Sequence, residues 1–324
     1  MTTWRTALCG LGRIAWRFDR PSGREEVCLS HAGAYRRQER TRLVAGCSPE
    51  TVDRDAFNQA FGLPAYDRLD TLLDLEHPDI VSICSPASVH FEQVMACLDS
   101  QVPMIWLEKP PTLTLAETDE LIAKATGKGT VLVNYQRRYL PVYQELRRRF
   151  DARLLGGCRQ IQATYSRGLE ANGSHLLDLL FFVTGDGRDP RLQWVRTAGD
   201  RENPSFGLTI GEVEITVTGM ALPYHNIDLT LTGEEGRLSV LHGGMTGVAE
   251  RRIEHELFPG FHRLQTVEDK RFTGLAGLAN GMENALLDLI GAHEGHRPPL
   301  SDLKSARRTM ALIEEVRRWQ EVGR

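Results

Sequence analysis

Lys109 stands in Glu108-Lys109-Pro110-Pro111, directly after the apolar run Pro103 to Leu107. The chain has 39 basic residues, and only Lys109, Lys124, Lys128, Lys270 and Lys304 are lysines. Transfer of a hydride from a C–OH carbon needs a group that removes the hydroxyl proton and returns it in reverse. A lysine amine can do this once burial lowers its pKa, whereas arginine stays protonated. Lys109 is therefore the first candidate for acid–base chemistry. His175 is the second. It lies in Asn172-Gly173-Ser174-His175-Leu176-Leu177-Asp178 and is expected in the first turn of an apolar helix. There the helix dipole disfavours imidazolium and keeps the ring a usable base. Asp178, three residues on, shares its face.

A separate cluster points to a dinucleotide. Gly10-Leu11-Gly12-Arg13-Ile14-Ala15 follows the first apolar strand and opens a helical pattern. In such a GxGxxA turn the first glycine permits the tight bend, and the second lets backbone approach a pyrophosphate. The helix start then offers N–H donors to the phosphates. An acidic ribose ligand is expected about 20 residues on, at the end of the second strand. That strand instead ends in Cys47-Ser48-Pro49-Glu50. The delay has a cause: Trp16 to Leu29 reads as an insertion in the first helix, either a surface loop or a flap, before Ser30 caps a new helix at His31. Ser48 in place of an acid leaves room for a 2′-phosphate, with Arg13 or Arg54 as its partner and Glu50 opposing. The cofactor expected is NAD or NADP.

These residues need elements to hold them. Strands are expected at Thr6–Cys9, Arg42–Cys47, Ile80–Cys84, Pro103–Leu107 and Thr130–Val133. Helices are expected at His31–Arg40, Thr51–Phe61, Leu69–Leu75, Ser88–Ser100 and Thr114–Thr126. This alternation implies right-handed βαβ units and a doubly wound parallel sheet. Beyond about residue 155, period-two runs take over: Arg159–Tyr165, Leu192–Thr197, Glu212–Thr218, Ile227–Thr232, Arg237–Leu241 and Arg252–Leu257. Turn formers, among them Asp186-Gly187 and Gly243-Gly244, link them. One helix, His175–Thr184, interrupts the series and ends at Gly185. Two more close the chain, Leu278–His293 and one after Pro298-Pro299 capped by Ser301. The fold class is thus α/β followed by α+β with a mainly antiparallel sheet. The boundary falls after residue 135, giving a dinucleotide-binding domain 1–135 and a substrate and oligomerisation domain 136–324.

Composition narrows the class further. The 324 residues are 41% hydrophobic and 25% charged, with a net charge of −4, so disorder and a basic nucleic-acid surface are not expected. No apolar stretch approaches the roughly 18 residues of a membrane span, and Ala7–Leu11 followed by Arg13 is a poor secretory signal. A cytoplasmic location follows as an expectation. The six cysteines show no CxxC pair and no zinc spacing, so no metal site is expected and the thiols are read as small buried hydrophobes.

Taken as a set, GxGxxA, then Ser85-Pro86-Ala87-Ser88-Val89-His90, then Glu108-Lys109-Pro110, then Asn134-Tyr135-Gln136-Arg137-Arg138-Tyr139, then the His175 segment resemble the glucose–fructose oxidoreductase / inositol dehydrogenase / MocA family over nearly the whole chain. The resemblance implies a Rossmann domain, an open-faced second sheet, and NAD(P)-dependent oxidation or reduction of a secondary alcohol in a sugar, nucleotide sugar or polyol. It places Lys109 beside substrate and nicotinamide and His175 in the same site. It implies cofactor contacts from Gly10, Gly12, Arg13, Ile14, Ser48, Ser85, Pro86, His90, Glu108 and Lys109. Substrate contacts fall to Asn172, Asp178, Arg138 and Tyr139, the last two either touching substrate or bracing the domain junction. One position departs from the pattern. Many members carry Asp four residues before the histidine, and Ala171 stands there, which speaks against a three-residue relay and against inositol-type binding. An Asn-Gly-Ser-His sequence is similar to members that modify sugars for surface glycans or secondary metabolites. Two other classes stay open on the same fold, a non-catalytic sensor of dinucleotide or sugar and an imine or enone reductase. A homodimer or tetramer, associating through an exposed sheet face, completes the expectation.

Overall fold

A computed structural model describes residues 3–19, 28–185, 187–197, 199–278 and 280–322. The chain divides into two compact units, Met1–Tyr139 with Ala279–Arg307, and Leu140–Leu278 with Arg308–Arg324.

In the first unit six parallel strands are ordered β3-β2-β1-β4-β5-β6. They are β1 Trp4–Cys9, β2 Thr41–Cys47, β3 Ala65–Tyr66, β4 Ile80–Ile83, β5 Met104–Leu107 and β6 Thr130–Val133. The order reverses between β1 and β4, the point at which such sheets receive ligands beyond their carboxyl ends. β4 and β5 are apolar at nearly every position because both sheet faces are covered. On one face Val81, Ile83, Ile105 and Leu107 pack with α3 (Leu69–Glu76), α4 (His90–Asp99) and α5 (Leu115–Ala125). On the other, Leu8, Ile80, Met104, Trp106 and Leu132 meet α1 (His31–Arg37), α2 (Thr51–Phe61) and the helix Gly281–Glu294.

That last helix corrects the single boundary after residue 135. Met282, Ala285, Leu286, Leu289 and Ile290 are buried in the core of the first sheet. The apolar face of the segment is answered by Trp106 and Leu132, so it belongs with the first unit despite its place near the end of the sequence.

Of the segment expected as an insertion, Trp16–Leu29, residues 20–27 lie outside the described residues. Gly12 accepts from the Trp16 amide, a short 3-10 turn Arg17–Asp19 follows, and the chain returns so that His31 N–H donates to Ile14 O at 3.1 Å and Ala32 N–H to Ala15 O at 2.9 Å. The turn after the glycines is thus hydrogen-bonded to the start of α1. Asp19 clamps the return, accepting from Leu29 N at 2.8 Å and from the Ser30 hydroxyl, while Ser30 caps Gly33 N at 3.1 Å. The helix expected at His31 behind a Ser30 cap is found there.

The second unit holds one eight-stranded sheet, β14-β13-β12-β11-β7-β10-β9-β8, antiparallel except for the pair β7 and β10. The strands are β7 Cys158–Ser166, β8 Pro190–Arg196, β9 Ser205–Ile210, β10 Val213–Met220, β11 Ile227–Gly233, β12 Gly236–Leu241, β13 Thr246–Glu254 and β14 His262–Thr266. Alternation is clear in the centre. Ile161, Ala163, Val213, Ile215, Val217, Leu229 and Leu231 are buried, while Gln162, Thr164, Thr216, Thr218, Thr230 and Thr232 line the other face. α6 (Pro141–Asp151) packs on β12 and α7 (Ser174–Thr184) on β7.

Several elements differ from expectation. β9 is broken in pattern by Gly207, where a Cβ would lie 2.1 Å from Trp194 Nε1, so the glycine admits a crossing indole. α6 hides its periodicity because its last inward position is Arg149, paired with Glu145 and Asp269 and seated over Phe272. β13 begins six residues earlier than the expected run at Arg252, and β3 and β14 are too short or too polar to announce themselves. Asp186 of the expected turn lies outside the described residues.

The cysteines behave as read. Cys9, Cys28, Cys47 and Cys97 are buried, and Cys84 and Cys158 are half-buried; all are unbridged. The hydrogen bond with Cys47 and burial push the Cys9 thiol up, and burial does the same for Cys84 and Cys97. Among the described residues no helix is long and apolar enough to cross a membrane, and no group of His, Cys, Asp or Glu is placed to hold a metal ion.

Candidate active site

The glycine turn sits at the reversal point of the first sheet. Gly10 N–H donates to Cys47 O at 2.8 Å and takes φ +86°, a conformation that L side chains rarely adopt. A Cβ there would stand 2.6 Å from Ser85 N and 2.7 Å from the Cys84 carbonyl carbon, so β1 and the loop after β4 approach as closely as backbones can. At Gly12 the opposite holds: a Cβ would meet nothing within 4 Å. One glycine is required by the protein, and the other keeps clear the space that a pyrophosphate would occupy. This cradle fits a dinucleotide. Ile14 presents its carbonyl to His31, and Arg13 is exposed.

At the end of β2, Ser48 is buried and its hydroxyl accepts from Glu50 N at 3.3 Å. Arg54 donates to the carbonyls of Ser48 at 2.8 Å and Pro49 at 2.7 Å and to Thr51 Oγ1 at 2.9 Å. This corrects its expected role, since a guanidinium engaged with its own turn is not poised for a 2′-phosphate. Arg17 pairs with Asp53 at 2.5 Å over the Trp16 ring.

Glu108, Lys109 and Pro110 leave the carboxyl end of β5, and the Lys109–Pro110 peptide is cis. Glu108 Oε1 accepts from Asn134 Nδ2 at 2.6 Å and lies 3.1 Å from His31 Nε2. Trp106 Nε1–H donates to Asn134 Oδ1 at 3.2 Å and so fixes which way that amide points. Burial pushes the Glu108 carboxyl up, but His31, Asn134 and Lys109 outweigh it and leave the group below its ordinary value. Lys109 is shifted down. Burial is the main cause, Arg137 assists, and the Glu108 charge opposes.

His90 is buried, with Nδ1 2.8 Å from Pro110 O and Nε2 2.9 Å from Ser85 O. It ties the loop after β4 to the loop after β5. The Ser85 hydroxyl donates to Gln93 Oε1 at 2.5 Å, and Pro86 is exposed beside it.

Arg138 and Tyr139, expected either to touch substrate or to brace the domain junction, make bonds inside the first unit. Arg138 is fully buried and donates to Leu300 O at 2.9 Å. The Tyr139 hydroxyl donates to Asp288 at 3.0 Å and accepts from Ser301 N at 3.2 Å. Both tie the turn after β6 to the closing segment of the first unit.

In the second unit Asn172, His175 and Asp178 share one helical run. It begins earlier than expected, with a π-helical turn over Gly168–Gly173 continuous with α7. Its first amides are already met, Gly168 N by Asn203 Oδ1 at 2.7 Å and Leu169 N by Glu202 O at 2.9 Å. His175 therefore stands well inside the helix, and the argument from a free helix start does not apply to it or to Asp178. Both are buried. Asn172 Nδ2 donates to Ser166 O at 2.8 Å, and Glu170 is held by Arg317 at 2.6 Å.

Residues 4–136 match the Gfo/Idh/MocA oxidoreductase family, NAD-binding Rossmann fold. The match covers the leading segment of the first unit, with its six parallel strands, and stops before the second unit. Among the chain's relatives are the D-glucoside 3-dehydrogenase of Escherichia coli, 28% identical over 52% of this chain and 44% of that one, and inositol 2-dehydrogenase 2 of Paenarthrobacter aurescens, 23% identical over 75% and 82%. The chain thus spans less than half the length of the first. In fold it is similar to a 3-ketoreductase from Actinomadura kijaniata in complex with NADP, with TM-score 0.75, 18% identity and coverage of 98% and 97%. It is also similar to a UDP-N-acetylglucosamine 3-dehydrogenase from Acidithiobacillus ferrooxidans, with TM-score 0.74, 22% identity and coverage of 98% of each chain.

The sequence did not disclose His31 or Arg137 as neighbours of the Glu108-Lys109 pair, or Ser82 as the partner of His31. His31 opens α1, beyond the segment expected as an insertion, and Ser82 sits inside an apolar strand. Only Arg137 carried a signal, since it lies within the Asn134–Tyr139 motif.

Proposed function

We propose that the protein is an NAD(P)-dependent oxidoreductase acting at a secondary alcohol or ketone of a sugar, nucleotide sugar or polyol. The observation that carries this reading is Lys109, an amine made easier to deprotonate by burial at the carboxyl end of β5. Gly10, Gly12 and the Ile14 turn would hold the dinucleotide, which when bound supplies the acceptor or donor of the hydride. Lys109 Nζ takes the hydroxyl proton as the carbonyl forms and returns it when the ketone is reduced. His175 is assigned as the second acid–base group and Asp178 as its neighbour on the helix face. Asn172 keeps a carbonyl oxygen that can accept from a substrate hydroxyl. Oxidation should rise with pH and level off once Lys109 is unprotonated, at a pH below the ordinary lysine range.

The test is a panel of sugars, nucleotide sugars and polyols with NAD+ and NADP+, read by formation of reduced nicotinamide. Turnover of a member of the panel is expected. Binding of dinucleotide without turnover of any alcohol or ketone would overturn the reading in favour of a sensing protein, and turnover of imines or enones alone would move it to another reductase class.

Association into a homodimer or tetramer is part of the same proposal. Its support is the threonine-lined face of the eight-stranded sheet, a broad regular surface for a second copy. The half-exposed face is polar, so the demand to cover an apolar patch is not the reason for association. Light scattering is expected to give a multiple of the 36.4 kDa chain mass, and a particle of that mass alone would refute the assignment.

A further inference from the structure

His31 lies outside every motif that marks the site, yet it is fully enclosed and both ring nitrogens are engaged. Nδ1 lies 2.8 Å from Ser82 Oγ and Nε2 lies 3.1 Å from Glu108 Oε1. The ring is centred 4.0 Å from the Trp106 ring. Tyr35, one turn along α1, reaches the same Ser82 hydroxyl at 2.6 Å. One assignment of hydrogens satisfies all of them: Tyr35 donates to Ser82, Ser82 to His31 Nδ1, and His31 Nε2–H to Glu108. Serine, histidine and carboxylate in line also describe a hydrolytic triad. Ser82, however, is 0% exposed inside β4, and no acyl group can reach it. The bonds therefore act on Glu108. The Asp19 clamp and the Ser30 cap make this possible, since they fix where His31 begins α1.

We propose that His31 is a positioning residue for Lys109: its Nε2–H holds Glu108 as a carboxylate next to Lys109, and that charge sets how readily the Lys109 amine releases its proton. The inference rests on the reading of Lys109 as the proton-transfer group. Glu108 is faced by His31, Asn134, Lys109 and the Cys84 thiol, and Lys109 by Glu108 and Arg137. Within that set Glu108 opposes burial and Arg137 in keeping the amine charged. Without the His31 donor, burial drives the carboxyl toward its neutral form, the opposing charge weakens, and the amine deprotonates at lower pH.

The small number of lysines makes the amine directly observable. The 324-residue chain dimethylated with carbon-13 formaldehyde gives one signal each from Lys109, Lys124, Lys128, Lys270 and Lys304 besides its N-terminus, and Lys109→Arg identifies the one that matters. Titration by NMR then follows Lys109 without any turnover. In His31→Phe, which keeps a ring against Trp106, the Lys109 midpoint is expected to fall by about one pH unit. Glu108→Gln should lower it as much, and His31→Gln, which keeps an N–H donor, should leave it in place. An unmoved midpoint in His31→Phe overturns the proposal, whether or not the protein oxidises any sugar. A shifted midpoint in a protein that turns over no alcohol supports this inference while refuting the proposed function. If His31→Phe does not fold, the pair of glutamine variants decides: His31→Gln unmoved with Glu108→Gln lowered supports it, and any other pairing overturns it.

Discussion

Lys109→Met should lower kcat/KM for the panel substrate by about 10²–10⁴-fold, the range over which a positioned acid–base group contributes. Methionine keeps the length and apolar stem of lysine and removes only the amine. Dinucleotide affinity, measured by fluorescence titration, should stay within a few-fold because the glycine turn is untouched. Lys109→Arg is the sharper variant. It preserves the positive charge beside Glu108, so a lysine needed only as a cation would be replaced with little loss. A lysine needed to give up a proton would not, because guanidinium does not deprotonate in this pH range. Both variants are expected to be equally impaired, and the pH dependence of oxidation in the native enzyme should be absent from their residual rates. Retention of activity within a few-fold of wild type in either variant would remove Lys109 from the chemistry.

The second large effect separates the two glycines of one turn. Gly10→Ala places a methyl 2.6 Å from Ser85 N at a φ of +86°. The strained backbone and the clash together should cost about 2–6 kcal/mol, enough to unfold much of the protein or lower its Tm sharply. Gly12→Ala meets no atom within 4 Å, so its Tm without cofactor should be nearly that of wild type. Its methyl enters the space kept for the pyrophosphate, and dinucleotide affinity should fall at least tenfold, about 1.4 kcal/mol. Thermal melts with and without NAD+ or NADP+ check both. A Gly12→Ala protein that gains as much stability from dinucleotide as wild type would show that the cofactor does not rest on this turn.

Much of the first sheet was legible because buried parallel strands and amphipathic helices leave opposite patterns. β4 and β5 read as unbroken apolar runs, and Thr51–Phe61 showed a helical face. The glycine turn was legible from its spacing directly after the first strand, and Lys109 from its place after β5 in a chain with only five lysines. What stayed hidden depended on partners remote in sequence. Nothing near His90 in sequence shows that the Pro110 and Ser85 carbonyls stand on either side of its ring. Nothing beside Arg138 and Tyr139 in sequence announces that Leu300, Asp288 and Ser301 engage them. The helix start at His175 was misplaced because Gly168–Gly173 carries no helix-forming pattern, and the amides that begin the run are satisfied by Glu202 and Asn203.

The helix Gly281–Glu294 has a consequence for the order in which the protein can be made. A ribosome releases the six strands of the first sheet early, but this cover for Trp106 and Leu132 emerges only after every strand of the second unit has been synthesised. Throughout that interval the part of this face that α1 and α2 do not cover stays open to water, the kind of surface that invites chaperones or aggregation. The dinucleotide unit is therefore first to be started and among the last to be finished. A fragment cut at Tyr139, where the first unit's leading segment ends, would inherit that open face permanently.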